Sequence, residues 1–423
     1  MKILEGEYTL YINNKIRTLG NIVKVTNNGD KINLVSNNIT YNYKQETKTY
    51  VSNNSEFKII KFNNERNYYD ILDSNSNKIR IIKNNTLKKK QWNLRKIHFY
   101  NYIQNVKNRN WLFNKLNKSE IKIAIVDEGI QQLNKENNNK RKIKDFNKLD
   151  LVNCKSFKDD KLLNNWWPSE YNLDHGTMCA SLAVSSGVKL YGTAPGISFC
   201  SLKIDFMKNS IKDALSYNIN KIDVYSCSFG DPLSIVRGYN LETESIQKGT
   251  YLGRKGKGCI YVFACGNDSD YSDLASYDIY LNIPETLVIG STNKNNKKSF
   301  YSETGACLLC VAPGGETGEN PKNGIMVFDN KYKIKYNQGT SFSAPQIAGI
   351  CGVILSIRPN LSWVDVKDII SRSCLKNDPQ AGKSNAVDDT VWFKNKAGRN
   401  YNLQYGFGLI NYKKVISKTS IPF

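Results

Sequence analysis

Histidine is almost missing from this chain: His98 and His175 are the only two among 423 residues. Sites that need several imidazoles are thereby excluded, and a mechanism that needs one has little choice. Long apolar runs are missing as well. No stretch reaches the ~18 apolar residues of a membrane span. The opening Met1-Lys-Ile-Leu-Glu-Gly-Glu-Tyr has acids where a signal peptide needs an apolar segment. Acids are in deficit, 38 against 60 Lys and Arg, for a net charge of +22. That balance attracts nucleic acid or anionic membrane. Yet no helix-turn-helix pattern, zinc finger or RNA-binding aromatic motif organises the charge. Lys and Asn are spread nearly everywhere, as in Asn137-Asn-Asn-Lys, so the surplus reads as compositional drift and no nucleic-acid partner is expected. Internal repeats are absent.

The ten cysteines do not fix a compartment. Cys200, Cys227, Cys265 and Cys351 fall in apolar stretches, where a thiol acts as a small buried hydrophobe. Cys307-Leu-Leu-Cys310 has the spacing of a metal or redox pair. Without a second pair or a nearby histidine, packing or a disulfide is favoured over zinc.

This length accommodates one large domain plus a smaller one. Residues 1–85 alternate β-branched or aromatic residues with polar ones, as in Tyr8-Thr-Leu-Tyr-Ile, broken by Asn-rich turns. That is a hairpin-rich signal. Lys88-Lys-Lys90 reads as an exposed basic joint, and residues 86–423 as the large domain. From about residue 120, short apolar runs alternate with helical stretches. The runs are Ile121 to Val126, Ile197 to Ile204, Ile222 to Cys227, Ile260 to Cys265 and Thr286 to Gly290. Their lack of strict alternation fits parallel strands covered on both faces. Between them lie helical stretches from Met178 to Val184 and Ile211 to Tyr217, and a long buried helix opens near Ser343. The rhythm predicts a doubly wound α/β fold with helices on both faces, whose sites form at carboxyl ends of strands.

Three short contexts stand at such places: Ile-Ala-Ile-Val-Asp127-Glu-Gly, Asp-His175-Gly-Thr and Gly-Thr-Ser341-Phe-Ser-Ala-Pro. A serine hydroxyl is a poor nucleophile near neutral pH until a base takes its proton. His175 is the natural base, with Asp127 holding its tautomer and stabilising the imidazolium. Pro345 in the first turn of the helix after Ser341 sacrifices no hydrogen bond, and the helix end favours a nucleophile. Asn267, after Tyr261-Val-Phe-Ala-Cys-Gly, supplies an amide donor for an oxyanion. Asn267-Asp-Ser269 also spells a glycosylation sequon, one of many in so Asn-rich a chain. His98 reads as a surface or packing residue.

At these residues the chain resembles a subtilisin-type serine protease of the kexin/furin branch, over roughly Gln91 to Val415. Further carriers are Gln91-Trp-Asn-Leu, Tyr225-Ser-Cys-Ser-Phe-Gly, Phe300-Tyr-Ser-Glu, Leu361-Ser-Trp-Val-Asp-Val, Tyr405-Gly-Phe-Gly-Leu-Ile and Cys179, four residues past the histidine. The resemblance implies a subtilisin-like parallel sheet and a serine endopeptidase acting on polypeptides as a monomer. It also implies substrate pairing at Ser228-Phe-Gly230, pocket acids at Glu128 and Asp278, and structural Ca²⁺ held by Asp273 and Glu303. A secretory or extracellular setting follows, although no signal peptide or anchor is visible. Residues 1–85 take the place of a propeptide, with Lys88-Lys-Lys90 as a maturation site.

Several positions depart from the branch. Asp231-Pro-Leu-Ser replaces an acidic cluster, Asn172 and Leu173 replace acids, and Ser216 stands where another pocket acid is expected. Selection for paired basic residues is weakened accordingly, and no P domain follows. A catalytically silent binding or regulatory homologue is the alternative.

Overall fold

The computed structural model describes the backbone of eight strands between residues 6 and 83. It also describes residues 90–420 apart from 132–143, 159–160, 169–172, 231–240 and 382–390. Lys88, Asn172 and Asp231 therefore lie outside the described residues. The chain divides into two compact units, Met1–Lys89 and Lys90–Phe423.

In the first unit the strands are β1 (Gly6–Ile12), β2 (Val23–Asn28), β3 (Lys31–Ser36), β4 (Ile39–Lys44), β5 (Thr49–Ser52), β6 (Ser55–Asn63), β7 (Tyr68–Asp73) and β8 (Lys78–Lys83). Each pairs antiparallel with the next, and β1 pairs with β8, so the meander closes into a barrel. Register places positions 10, 81 and 69 side by side on one face, while Glu7 and Lys24 oppose each other on the other. Closure leaves no open edge for another chain to pair with.

The second unit is built on a ten-stranded sheet. Its strands are β9 (Lys122–Asp127), β10 (Lys155–Lys158), β11 (Lys161–Leu163), β12 (Ser198–Lys203), β13 (Val224–Cys227), β14 (Ile260–Ala264), β15 (Thr286–Thr292), β16 (Leu308–Pro313), β19 (Cys374–Leu375) and β22 (Leu409–Ile410). The spatial order is β11-β10-β12-β9-β13-β14-β15-β16-β22-β19. Every neighbour pair is parallel except those at the two edges, β10 with β11 and β22 with β19. Strands β13 to β16 are buried at every residue, which explains why their sequences do not alternate. Two hairpins complete the strands: β17 (Ile325–Phe328) with β18 (Ile334–Asn337), and β20 (Phe393–Lys394) with β21 (Asn400–Tyr401).

The helices are α1 (Trp92–Lys96), α2 (Phe99–Ile103), α3 (Val106–Lys118), α4 (His175–Val184), α5 (Lys208–Ser216), α6 (Leu241–Gly256), α7 (Ala344–Ile357), α8 (Trp363–Arg372) and α9 (Tyr412–Ser420). Helix α7 is buried from Ala344 to Leu355 and packs on α4, β13 and β14. The stretch Thr340–Ile357 is long and apolar enough on average to cross a membrane, yet 83% of it is buried inside the unit. It is a core helix. The Leu361-Ser-Trp-Val-Asp-Val motif is a capping box: Ser362 Oγ accepts from Asp365 N, and Asp365 Oδ2 accepts from Ser362 N. All ten cysteines are free thiols, eight of them buried. Cys310 sits inside β16 and Cys307 lies against Ser276, so this pair is packing and not a disulfide.

Candidate active site

Asp127 ends β9, the strand flanked by β12 on one side and β13 on the other, where the sheet opens a crevice at its carboxyl end. It is 1% exposed. His175 opens α4, and its Nδ1 lies 3.0 Å from both carboxylate oxygens of Asp127. Gly176 makes that approach possible. A Cβ there would stand 2.3 Å from Gly129 O and 3.0 Å from the Asp127 Cβ, so only glycine lets the helix begin against this strand end. Burial pulls the His175 imidazole toward the neutral form, but the Asp127 carboxylate and the Cys179 sulfur together outweigh it and hold the pKa well above the usual value. The side chain is still 34% exposed, so its far edge faces the crevice.

Ser341 lies in the tight 3-10 turn Thr340–Phe342 just ahead of α7. Its Oγ donates to Ser228 O at 3.4 Å, a long bond that must break before attack on a substrate. Cys179, one turn beyond His175, joins the two motifs: its Sγ lies 3.9 Å from His175 Nδ1 and donates to Ser341 O at 3.4 Å. The Phe342 ring sits 5.9 Å from the imidazole. Asn267 is exposed just past β14. Its Oδ1 accepts from Thr340 N at 2.9 Å and from Thr340 Oγ1 at 3.0 Å. Two donors fix which end of the amide is oxygen, and the Nδ2 donor is left for the crevice beside Ser341.

A pocket of about 110 Å³ adjoins these groups. Ser228, Phe229, Gly230, Asn267 and Ser341 line it, and Asp273, Asp278 and Glu303 supply carboxylates. At Gly230 an added Cβ would lie 2.8 Å from Asp278 Oδ2, so a glycine keeps the way to that acid open. Ligand oxygens of Asp268, Asp273 and Glu303 all fall within 4.8 Å of one another. Burial pushes the Glu303 carboxyl up to about 7, against a hydrogen bond from Asp268 N and with help from the charges of Asp273, Asp268 and Asp278. Among the described residues no Lys or Arg nitrogen pairs with Asp268, Asp273 or Glu303.

The structure thus joins Asp127 to His175 directly and His175 to the Ser341 turn through Cys179 and Phe342, while Ser341 and Asn267 line the adjoining pocket with Ser228, Phe229, Gly230, Asp273, Asp278 and Glu303. Glu128 is not among the pocket residues: its Oε1 accepts the His175 backbone N–H at 2.6 Å. Burial pushes its carboxyl up, and the charge of Asp127 adds to this. Ser216 is likewise absent from the pocket, its hydroxyl bonded back to Lys212 O within α5. Sequence reasoning missed Asp268, although its place beside Asn267 at a strand end was a signal.

Known proteins resemble this chain over more than half of its length. The chain is 29% identical over 285 residues to the mouse (Mus musculus) proprotein convertase subtilisin/kexin type 7, covering 60% of this chain and 34% of that protein. It is 29% identical over 284 residues to a calcium-dependent protease of Trichormus variabilis, covering 59% and 41%. It therefore spans only about a third to two fifths of the length of these relatives. The crystal structure of a serine protease of Aeromonas sobria superposes with a TM-score of 0.64 at 17% identity, covering 80% of this chain and 68% of that one, which shows a shared fold. The pattern of the Subtilase family matches residues 118–408, from the last residue of α3 to the residue before β22, and the chain belongs to that family.

Proposed function

We propose that this chain is a serine endopeptidase that hydrolyses peptide bonds through an acyl-enzyme. The observation that carries the reading is the contact of Asp127 with His175 Nδ1, which Cys179 links to the Ser341 turn. With Nδ1 committed to the carboxylate, Nε2 is the basic atom. It takes the Ser341 proton as Oγ attacks the scissile carbonyl, then delivers that proton to the leaving amine. Asn267 Nδ2 and the Ser341 N–H donate to the oxyanion. Water, activated by the same imidazole, releases the acyl group. An extended substrate pairs with the backbone at Ser228-Phe229-Gly230, and its P1 side chain enters the acidic pocket.

A basic P1 residue complements Asp278 at the pocket wall, and processing of proproteins after basic residues is the finer reading. Asp268, Asp273 and Glu303 suit a hard divalent cation: three hard oxygen donors converge, and burial leaves Glu303 short of compensating charge. Bound Ca²⁺ would supply structural rigidity to the pocket wall and no chemistry. By position, residues 1–85 would serve as a pro-region released at Lys88-Lys-Lys90, in a secretory or extracellular setting.

An active-site phosphonate probe tests the reading. It should label the wild-type chain and not Ser341→Ala. A folded wild-type chain that resists the probe and cleaves no peptide library would instead be a silent homologue.

A further inference from the structure

The catalytic groups sit on two separate elements, α4 with His175 and the turn before α7 with Ser341. Covalent connection does not fix their spacing; the two elements pack directly on each other, and a third segment packs on both at once. The stretch next to the basic joint does this. Gln91, Trp92 and Asn93 are each less than 5% exposed, although Lys90 just before them is exposed. Trp92 belongs to one buried cluster with Met178 and Leu182 from α4, Phe342 from the serine turn, and Ile325 and Val327 from β17. Its Nε1 donates to Gly324 O at 2.9 Å, which orients the indole. Asn93 Nδ2 donates to Gln346 Oε1 at 3.1 Å, and Gln346 Nε2 donates onward to Phe342 O and Pro313 O, both at 2.7 Å. Gln91 completes the anchorage by pairing with both backbone groups of Tyr191, Nε2 to O at 2.8 Å and N to Oε1 at 2.9 Å.

We propose that Gln91-Trp92-Asn93 is a clamp that sets the distance between the histidine helix and the serine turn, with Trp92 as a positioning residue for the reaction. This rests on the serine-protease reading above. Met178 and Leu182 lie one turn apart on α4, on the same helix face, so the indole fixes the rotation of the helix that carries His175. On its other side the cluster includes Phe342, whose ring packs 5.9 Å from the imidazole and whose carbonyl is held by Gln346. Shrinking the indole therefore lets the two elements drift, and misplacement by about 1 Å lowers turnover on the order of 10²-fold. Neither the pocket acids nor the Ser228-Phe229-Gly230 wall belongs to this cluster, so substrate binding should be spared. The clamp begins one residue after Lys88-Lys-Lys90; trimming at that run leaves it intact, and loss of three further residues removes it.

The test uses the full chain carrying Trp92→Phe, Trp92→Ala or Asn93→Ala, with Trp111→Phe on the exposed side of α3 as the control. The expected result for Trp92→Phe is a fall in kcat of about 10-fold, with KM within a factor of two and a matching fall in the rate of phosphonate labelling. Trp92→Ala, if folded, should fall by about 10²-fold. Asn93→Ala should lower kcat in the same direction, while the control stays at the wild-type rate. The acidic limb of the kcat/KM profile should also move in Trp92→Phe, because a shifted α4 changes the contact between His175 and Asp127. Folded Trp92→Phe and Asn93→Ala chains with wild-type kcat and an unmoved limb would overturn the clamp. So would losses fully accounted for by the unfolded fraction in circular dichroism. Failure of the probe to label the wild-type chain would be a different result, one that removes the protease reading itself.

Discussion

The catalytic corner and the acidic pocket beside it share Ser341 and Asn267 at their border but handle charge in opposite ways. In the corner the carboxylates have their partners inside the protein. Asp127 accepts from His175 and from Glu128 N, Glu128 accepts from His175 N, and Asn267 is held by Thr340. In the pocket Asp268, Asp273 and Glu303 crowd together without a cation among the described residues. The first region is preorganised before anything binds. The second is completed only by what enters it, a metal ion or a basic side chain. The contrast separates two properties that are often merged: the chemistry belongs to the chain, and the selectivity belongs to its visitors.

Breaking the corner should cost the most. Asp127→Asn should lower kcat about 10⁴-fold, since the imidazole loses its tautomer. The sign of the accompanying pH effect follows from the carboxylate. It favours the imidazolium and raises the His175 pKa well above its usual value, so activity should rise only as pH climbs through that raised value. Without the carboxylate, the residual activity should keep its acidic limb at lower pH; a limb that stays put would separate Asp127 from the base.

Asn267→Ala should cost less, about 10²–10³-fold in kcat with KM nearly unchanged. That is the magnitude established for such a donor in subtilisin rather than one derived from this chain. In the pocket, Asp278→Asn should lower kcat/KM for substrates with Arg at P1 by at least about 30-fold, the loss of roughly 2 kcal/mol of buried charge pairing. Substrates with an apolar P1 should be untouched, and equal losses on both would show that Asp278 acts on structure instead. The smallest effect sharpens the comparison. Chelation of Ca²⁺ held at 100-fold its Kd removes about 2.7 kcal/mol, or roughly 2–4 °C of Tm in differential scanning calorimetry. Asp273→Asn should abolish that response without changing probe labelling at saturating probe.

The corner was legible because each of its residues follows a punctuated pattern. Asp127 ends an apolar run, His175 stands before Gly176-Thr177, and Ser341 precedes a helix apolar on every side. The parallel strands were legible for the same reason, with β9, β13 and β14 within one or two residues of the predicted runs. Strand β16 was obscured by Cys310, whose spacing from Cys307 left a disulfide open where there is only a packed sheet interior. Helix α4 starts three residues earlier than periodicity suggests, since Gly176 and Thr177 are weak helix formers placed by contact with the Asp127 strand. Barrel closure was out of reach because β1 and β8 meet across some seventy residues, and no local pattern encodes that pairing. The clamp was hidden likewise: Gln91-Trp-Asn-Leu was visible as a motif, but its partners lie as far away as Gln346.

The thiols described with the fold provide a built-in gauge of opening. Eight of the ten are sealed in the interior, and only Cys307 and Cys374 reach partway to solvent. A native chain should therefore consume no more than those two equivalents of an alkylating reagent quickly. The remaining eight become countable only as the interior breathes, so their staggered labelling reports which layer of the sheet loosens first.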